Sequence, residues 1–377
     1  MSLNSFVFQP ATGVPIRKPG KHSKRPLVVA PIESRIVQRA VHDVLLSIPE
    51  IKRYAENQYS FGGVKKQFAK AGVPGAIEAV IGAIETGARF AIRSDISNFF
   101  TKIPKPIVTK MVADAARDSE FVELFKRAIT VELENLADLA ADADLFPLYE
   151  IGVAQGCSLS PLLGNLLLSG FDQRMNSRRC TCLRYVDDFL ILAPNSIEAE
   201  KEFSAGVKLL KSLGLTVSGD KTFKGQVSHG FEFLGIDINN GLVRPSKTSR
   251  KRLLNKVQRA LQLSTIGFYQ HAKSGQMAPQ LSLIRTLTDV SGIVQGWGKQ
   301  YYFTSDKNLL SQLDSALDSM LKQYLQTYAK LSKPIGQAQR RRLLGVPLLE
   351  QLASRPLKWP KTKPPLTELS MEWVEHP

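Results

Sequence analysis

The chain has 377 residues, of which 43% are hydrophobic, and its 50 lysines and arginines outnumber 34 acidic residues to give a formal charge of +16. This length can bury a large core divided among two or three subdomains. The charge indicates a polyanionic partner, and nucleic acid is the commonest one. The three cysteines match neither a complete zinc-binding pattern nor a disulfide framework, which favours a reducing compartment.

The first half of the chain alternates predicted helices with one predicted strand. RPLVVAP predicts a short strand within an irregular start. Residues 33–51 have the apolar spacing of a helix, with Ile36, Val41, Val44 and Leu45 on its inner face. YSFGG interrupts this pattern, and a second helix is predicted to run to Thr86. RFAIRSDI then predicts a buried strand, and two helices are predicted over 104–140.

The second half predicts a hairpin, two helices and two further strands. A glycine-containing loop leads into a long apolar helix in GVAQGCSLSPLLGNLLLSGFDQRM. A hairpin follows in LRYVDDFLILA, then an amphipathic helix over 196–214, and then strands in LTVSGDKTF and FEFLGIDI. Beyond about residue 245 the sequence is helical, basic and leucine-rich. This order predicts an α+β domain with helices on one face of its sheet, followed by an all-helical unit.

The positive charge is concentrated in two segments without acidic residues, 17–25 and 243–260. Each could hold the phosphates of a nucleic acid. In the second segment, positions three and four apart share a helix face, so its charges form one or two adjacent stripes. Leu253, Leu254 and Val257 are expected to face the interior of the helical unit.

The paired carboxylates of Asp187 and Asp188 lie at the bend of the predicted hairpin. A lone Asp-Asp pair in a turn usually satisfies local backbone donors. Asp95 favours another interpretation, because it ends a second core strand and three acids at strand ends repel each other unless cations lie between them. Oxygen ligands favour Mg²⁺, and two such ions can activate a 3′-hydroxyl and stabilise a leaving pyrophosphate.

Several blocks in fixed order resemble reverse transcriptases, over about residues 10–345. YVDD at 185–188, DISNFF at 95–100 and QGCSLSPLLGNLLL at 155–168 resemble the palm of that family. KPGKHSKRPLVVAP, ESRIVQ and YSFGG resemble the fingers of group II intron enzymes. GLTVSGDKT and FEFLG resemble the two later palm motifs, and VQGWGKQYY resembles part of the thumb.

The resemblance implies a right-hand polymerase fold with an all-helical thumb. The implied domains are fingers over 1–90, palm over 91–242 with some fingers elements inside it, thumb over 243–345 and a C-terminal tail over 346–377. It also implies an RNA-directed DNA polymerase that uses dNTPs and two Mg²⁺ ions, with Mn²⁺ as a substitute. Its partners would be an RNA template and the DNA product. Protein partners or a homo-oligomer are also compatible with the resemblance.

The resemblance also assigns roles to individual residues. Asp95 and Asp187 would bind metal directly with help from the Ile96 carbonyl, while Asp188 supports them and Lys221 protonates the leaving pyrophosphate. Nucleotide binding falls to Lys24, Arg25, Phe100, Gln155 and Gly156, with Lys21 as an alternative to Lys24. Primer positioning falls to Phe231, Phe233, Leu234 and Gly235, although the two phenylalanines also fit plain core alternation. From the charge pattern, nucleic-acid binding is predicted for Arg244, Lys247, Arg250, Lys251, Arg252 and Lys256.

Phe100 separates DNA synthesis from RNA synthesis. It follows Asp95 by five positions, where the family has an aromatic ring that clashes with a ribose 2′-hydroxyl. RNA-dependent RNA polymerases typically carry aspartate there and Gly-Asp-Asp in the hairpin, and this chain has neither. DNA is therefore the expected product.

Three biological settings are compatible with the sequence. The N-terminal extension of intron enzymes is mostly missing and no endonuclease or RNase H pattern follows the thumb blocks, so we expect a free-standing antiphage defence enzyme that copies a structured noncoding RNA. The alternatives are an intron-type maturase that aids RNA splicing, or an untemplated or protein-primed polymerase that uses Tyr301 or Tyr302. No leader and no membrane-spanning stretch is visible, so a cytoplasmic location without a membrane partner is expected.

Overall fold

The computed structural model describes residues 6–18, 23–63, 71–176 and 179–349. Lys21 and the tail from residue 350 onward lie outside the described residues. Within them, the strands are β1 (Thr12–Arg17), β2 (Lys24–Val29), β3 (Phe90–Asp95), β4 (Thr181–Tyr185), β5 (Asp188–Ala193), β6 (Phe223–Gln226), β7 (Phe231–Phe233), β8 (Ile236–Asn239) and β9 (Leu242–Pro245).

The α-helices of the described residues are α1 (Ile32–Ser47), α2 (Pro49–Ala55), α3 (Gly72–Glu85), α4 (Lys105–Ala116), α5 (Ser119–Ile129), α6 (Ser160–Met175), α7 (Ser196–Ser212), α8 (Lys247–Ser274), α9 (Leu283–Tyr301), α10 (Lys307–Ser332) and α11 (Gln337–Leu344). Short 3₁₀ turns include Phe99–Lys102, Ala137–Leu145 and Gly219–Lys221. Helices combined with antiparallel sheets confirm the predicted α+β class.

The central sheet has the strand order β4-β5-β3-β6, and each neighbouring pair is antiparallel. On one face, Ile92, Phe189 and Ile191 belong to the largest core together with residues of α6 and α7. Leu190 and Leu192 alternate with them along β5 and are also buried, and α3 packs against β4 and β5. The prediction of helices on one face was therefore wrong, because α3 covers strand residues that the first set of helices does not reach.

The helix predicted over 33–51 is two helices that break at Ile48. Ile48 is extended, with φ −79° and ψ 118°, because the proline that follows disfavours a helical residue before it. Val41 and Leu45 are buried as predicted, whereas Ile36 is 63% and Val44 47% exposed. The apolar spacing thus overestimated the width of the buried face.

FEFLGIDI forms two strands rather than one. β7 and β8 pair through Phe233 and Ile236, and the two residues between them have positive φ values, 52° at Leu234 and 76° at Gly235. Two left-handed residues make the tight turn that joins antiparallel strands. β9 completes a sheet of order β7-β8-β9. LTVSGDKTF also differs from its prediction, because the turn at Gly219–Lys221 delays the strand until Phe223.

The described residues divide into two compact units, one within 6–250 together with 301–309 and one of 251–300 together with 310–349. The first unit holds all of the described strands. In the described part of the second unit, the predicted inward-facing Leu253 and Val257 are buried in a helical core. Phe268 stacks on Tyr324 in that core, with ring centroids 5.5 Å apart. The names and boundaries of fingers, palm and thumb stay predictions.

None of the helices in the described ranges combines the length and the apolar character that crossing a membrane requires.

Candidate active site

Three carboxylates meet at one end of the central sheet. Asp95 ends β3, while Asp187 and Asp188 lie at the turn from β4 into β5. The β3–β5 register sets Asp95 opposite Asp188, and the Ile96 N–H donates to the Asp187 carbonyl at 3.0 Å. One carboxylate oxygen from each aspartate lies within 4.8 Å of the other two. The predicted juxtaposition is thus present in the fold.

Burial and mutual repulsion make this site electrostatically unfavourable for three negative charges. Burial raises the pKa of Asp187, and the Asp95 carboxylate raises it further. Burial, followed by the charges of Asp187 and Asp95, raises the pKa of Asp188 to about 6. An added cation would therefore stabilise the ionised triad.

Lys221 supplies one positive charge directly. Its Nζ lies 2.5 Å from Oδ2 of Asp95, and its side chain is 49% exposed while that of Asp95 is 12% exposed. The 3₁₀ turn Gly219–Lys221 is fixed to β3, because the Ser218 N–H donates to the Asp95 carbonyl at 2.8 Å. Lys221 is therefore at the triad, and an exposed ammonium of this kind can turn toward a bound phosphate.

The donor set fits divalent metal ions. All three groups are carboxylates, which are hard oxygen ligands of the kind that Mg²⁺ prefers. Elsewhere in the described ranges, no other group of three or more His, Cys, Asp or Glu side chains is close enough together to hold a metal ion. Asp95, Asp187 and Asp188 would hold the metal, and Ile96 directly follows the first of them.

The predicted nucleotide-binding residues are brought together by main-chain hydrogen bonds. The Val28 N–H in β2 donates to the Gln155 carbonyl at 2.8 Å, and the Val153 N–H donates to the Phe100 carbonyl at 2.7 Å. Gly156 has φ +113°, and a Cβ there would lie 2.8 Å from the Val28 carbonyl oxygen. Glycine is therefore required for this close approach of the loop to β2.

Arg25 and Lys24 are placed differently. The charge of Arg25 lowers the pKa of Asp187 against the effect of burial, so Arg25 acts on the triad. Lys24 instead forms an ion pair with Asp142, at 2.5 Å between Nζ and Oδ2. Of the two predicted phosphate ligands on β2, Arg25 is the one whose charge acts on an aspartate of the triad.

The predicted primer motif lies in β7 and the turn after it. Phe231 and Phe233 are 6% and 0% exposed, as expected for core alternation. A contact with a primer would therefore fall to the turn at Leu234 and Gly235. The Glu232 carbonyl of this strand accepts a hydrogen bond from Arg93 Nη1 at 2.6 Å, which ties β7 to the central sheet.

The predicted nucleic-acid-binding cations fall into two groups. Arg244 is paired with Asp306, and Arg250 with Asp237, each at 3.7 Å, so both take part in packing of the first unit. The side chains of the others are exposed on α8: Lys247, Lys251, Arg252 and Lys256. The exposed group is the better candidate for phosphate contacts.

Arg93, Arg184 and Asp172 were not among the residues that the sequence patterns indicated. Arg93 lowers the pKa of Asp188 against burial, and Arg184 and Asp172 form a fully buried ion pair behind the hairpin. The available signal was a charged residue inside an apolar run, Arg184 in CLRYV and Asp172 in LLLSGFDQ. A buried charge in such a run requires a partner.

The model of a protein family described as reverse transcriptase (RNA-dependent DNA polymerase) matches residues 16–238. The chain belongs to the reverse transcriptase family. It is thus an RNA-directed DNA polymerase, a nucleotidyltransferase that copies an RNA template. Reverse transcriptases use divalent metal ions, and the three carboxylates provide a site of suitable chemistry.

This reverse transcriptase is similar to Protein YkfC of Escherichia coli (strain K12), with 25% identity over 327 residues that cover 77% of this chain and 79% of YkfC. Among solved structures it is similar to apo telomerase from Candida tropicalis, with 13% identity, 86% of this chain covered and a TM-score of 0.47. It is also similar to telomerase from Candida albicans in complex with a TWJ fragment of telomeric RNA, with 13% identity, 86% covered and a TM-score of 0.44. The chain spans 63% and 58% of the length of those two telomerase chains.

We expect Asp188→Asn to raise the melting temperature of the metal-free reverse transcriptase at pH 8. The substitution removes one of three crowded charges. Because the pKa of Asp188 is raised to about 6, keeping that one carboxylate ionised in the folded protein costs about 1–3 kcal/mol. Thermal melts in EDTA should show the gain, and added Mg²⁺ should stabilise the wild type more than the variant. Equal melting temperatures in EDTA would show that the three charges do not strain the site.

The exposed cations of α8 are expected to bind the template–primer duplex. Changing Lys251, Arg252 and Lys256 to Gln should weaken binding and make the slope of log affinity against log salt shallower by about 2–3, because each lost phosphate contact removes released counterions. Binding isotherms at several salt concentrations measure both quantities.

The matched control for the α8 variant removes three exposed lysines from another helix, Lys201, Lys208 and Lys211 of α7. Equal loss of affinity in the two triple variants would mean that only overall charge matters. An unchanged salt slope in the α8 variant would assign its cations to solubility.

Proposed function

We propose that this reverse transcriptase synthesises cDNA from dNTPs with two Mg²⁺ ions held by Asp95, Asp187 and Asp188. The observation that carries the proposal is the convergence of three partly buried carboxylates within 4.8 Å at the ends of β3 and the β4–β5 hairpin. Bound Mg²⁺ would activate the primer 3′-hydroxyl and neutralise charge on the triphosphate. Mn²⁺ offers similar ligand chemistry and can substitute.

The remaining groups of the site support the same reaction. Arg25 is exposed and its charge acts on Asp187, which supports a role in which its guanidinium would bind the triphosphate. Lys221 is held at Asp95 and is half exposed, and its ammonium can supply a proton to the leaving pyrophosphate. Gln155 and Gly156 form the loop against β2 over which the nucleotide would lie.

Substitution of Asp187 or Asp95 by Asn tests this assignment. Each change removes a direct metal ligand, so we expect Mg²⁺-dependent dNTP incorporation on an RNA template to fall about a thousandfold or more. Primer extension with purified protein measures it. The control is Asp144→Asn, an exposed carboxylate outside the triad that should leave extension unchanged. Full activity in either triad variant would refute the site assignment.

We also propose that Phe100 selects deoxynucleotides. Its ring packs against Phe99, with centroids 5.4 Å apart, at the end of the strand that carries Asp95. Phe100 is partly exposed in the 3₁₀ turn Phe99–Lys102, which begins four residues after Asp95. A rigid ring at that place excludes a 2′-hydroxyl by contact.

Replacing Phe100 with Val or Ala should open room under the sugar. Ribonucleotide incorporation relative to deoxynucleotide incorporation should rise about tenfold, the usual scale of a single steric contact. Competition between matched ribo- and deoxynucleotides in primer extension gives the ratio. A wild-type preference for ribonucleotides would contradict the choice of DNA as product.

The biological setting we propose is that of a group II intron-like cytoplasmic enzyme that copies a structured noncoding RNA in antiphage defence. The group II intron-like character is supported by the resemblance of the fingers blocks to group II intron enzymes. Sequencing of the RNA and DNA that copurify from the host should recover one abundant RNA together with DNA complementary to it. Intron RNA without complementary DNA would instead favour the maturase role.

A further inference from the structure

A buried polar cluster lies behind the catalytic hairpin. Its members are Arg184 on β4, Asp172 and Asn165 on α6, and Ser60 in the YSFGG segment, with exposures of 0%, 0%, 2% and 1%. Arg184 is one of the largest side chains of the described residues that are fully buried. A buried guanidinium is costly unless its hydrogen bonds are satisfied, so the contacts it makes identify its role.

The guanidinium makes four hydrogen bonds, two of them to one carboxylate. Nε donates to Asp172 Oδ1 at 2.7 Å, and Nη2 donates to Asp172 Oδ2 at 2.6 Å. This two-pronged pair fixes the plane of the guanidinium. Nη1 then donates to Asn165 Oδ1 at 3.0 Å and to the Val186 carbonyl at 2.9 Å. The last bond reaches the peptide that links Val186 to Asp187.

Val186 has an unusual backbone conformation. Its φ is +60°, whereas a β-branched residue strongly disfavours positive φ. Tyr185 and Asp188 pair across the turn, so Val186 and Asp187 form a two-residue hairpin loop. The first position of such a loop usually carries glycine when its φ is positive. The turn that presents Asp187 is thus strained and needs support from its surroundings.

The YSFGG segment is tied to the same strand. The Arg184 N–H donates to the Tyr59 carbonyl and the Phe61 N–H donates to the Arg184 carbonyl, each at 2.8 Å. Asn165 Nδ2 donates to the Gly62 carbonyl at 3.0 Å. A Cβ on Gly62 would lie 2.8 Å from Val186 Cγ2, so glycine is required where this segment covers the turn.

We propose that Arg184 is a positioning residue, which holds the strained Val186 peptide and thereby sets Asp187 for metal binding. Asp172 orients the guanidinium. Asn165 links it to the YSFGG segment, because Asn165 accepts a hydrogen bond from Arg184 and donates one to Gly62. The inference rests on the proposed metal site, since it concerns the placement of one of its ligands. A buried ion pair seldom adds net stability over an apolar pair, so its contribution lies in geometry.

The test separates geometry from stability. Arg184→Met alone leaves Asp172 as a buried, unpaired charge and should lower the melting temperature strongly. The double variant Arg184→Met with Asp172→Leu removes both charges and should recover most of that loss. The double variant should nonetheless bind Mn²⁺ about tenfold more weakly and lose kcat about tenfold with little change in the KM for template–primer, because metal-ligand orientation is lost. Paramagnetic resonance of Mn²⁺ alone with the protein gives the affinity.

Glycine at the strained position provides the rescue. Adding Val186→Gly to the double variant should restore Mn²⁺ affinity and kcat toward wild-type values, because glycine adopts positive φ without the guanidinium bond. Arg184→Lys should behave as the double variant does, since an ammonium cannot make the two-pronged pair and reach Val186 together.

Two results would overturn the inference. One is wild-type Mn²⁺ affinity and kcat in the double variant, and the other is an absence of rescue by Val186→Gly, which would reduce Arg184 to a packing role. Asp187→Asn serves as the reference in the same Mn²⁺ titration. Wild-type affinity in that variant would instead refute the proposed metal site, and with it the inference.

Discussion

Repulsion among three carboxylates is the constraint on which the active site depends. The β3–β5 register fixes Asp95 opposite Asp188, and the two-residue turn places Asp187 directly before Asp188. Because burial weakens the screening of these charges, every neighbouring group acts on them strongly. Three positive charges from separate elements act against the rise in pKa that burial causes: Lys221 lowers the pKa of both Asp187 and Asp188, Arg25 that of Asp187, and Arg93 that of Asp188. The fold thus compensates only part of the negative charge of the triad, and divalent cations could neutralise the remainder.

The site is assembled from segments that are distant in the chain. β2 reaches the loop of Gln155 through one main-chain bond, and that loop reaches Phe100 through another. Arg93 links the central sheet to β7, because its guanidinium donates a hydrogen bond to the Glu232 carbonyl. A displacement of any one of these elements would therefore shift the Gln155 loop, the carboxylate triad and the turn after β7 together.

The carboxylates and the loop glycine could be predicted from sequence because their signals are local. Asp95 ends an apolar strand, and Asp187 and Asp188 interrupt another apolar segment. The fixed order of the motifs then assigns all three to one site. The pairing of Lys24 with Asp142 could not be predicted, because it joins residues 118 positions apart whose meeting depends on the packed fold. The pairing of Asp172 with Arg184 also depends on the packed fold, because it joins α6 to β4. The β7–β8 hairpin was missed because its turn is Leu-Gly rather than a typical Asn-Gly.

The close packing of Gly62 on the hairpin has a consequence for how this enzyme can diverge over evolutionary time. A Cβ on Gly62 would meet not only the Val186 and Tyr185 side chains but also the Val186 main-chain nitrogen, 3.0 Å away. Trimming Val186 would remove one obstacle and leave the main-chain one in place. The two positions therefore tolerate substitution differently. Val186 can be replaced by a smaller residue on its own, whereas no replacement of the Val186 side chain makes room for a Cβ on Gly62. Lineages that descend from this sequence would be expected to vary at the turn while the glycine above it stays fixed.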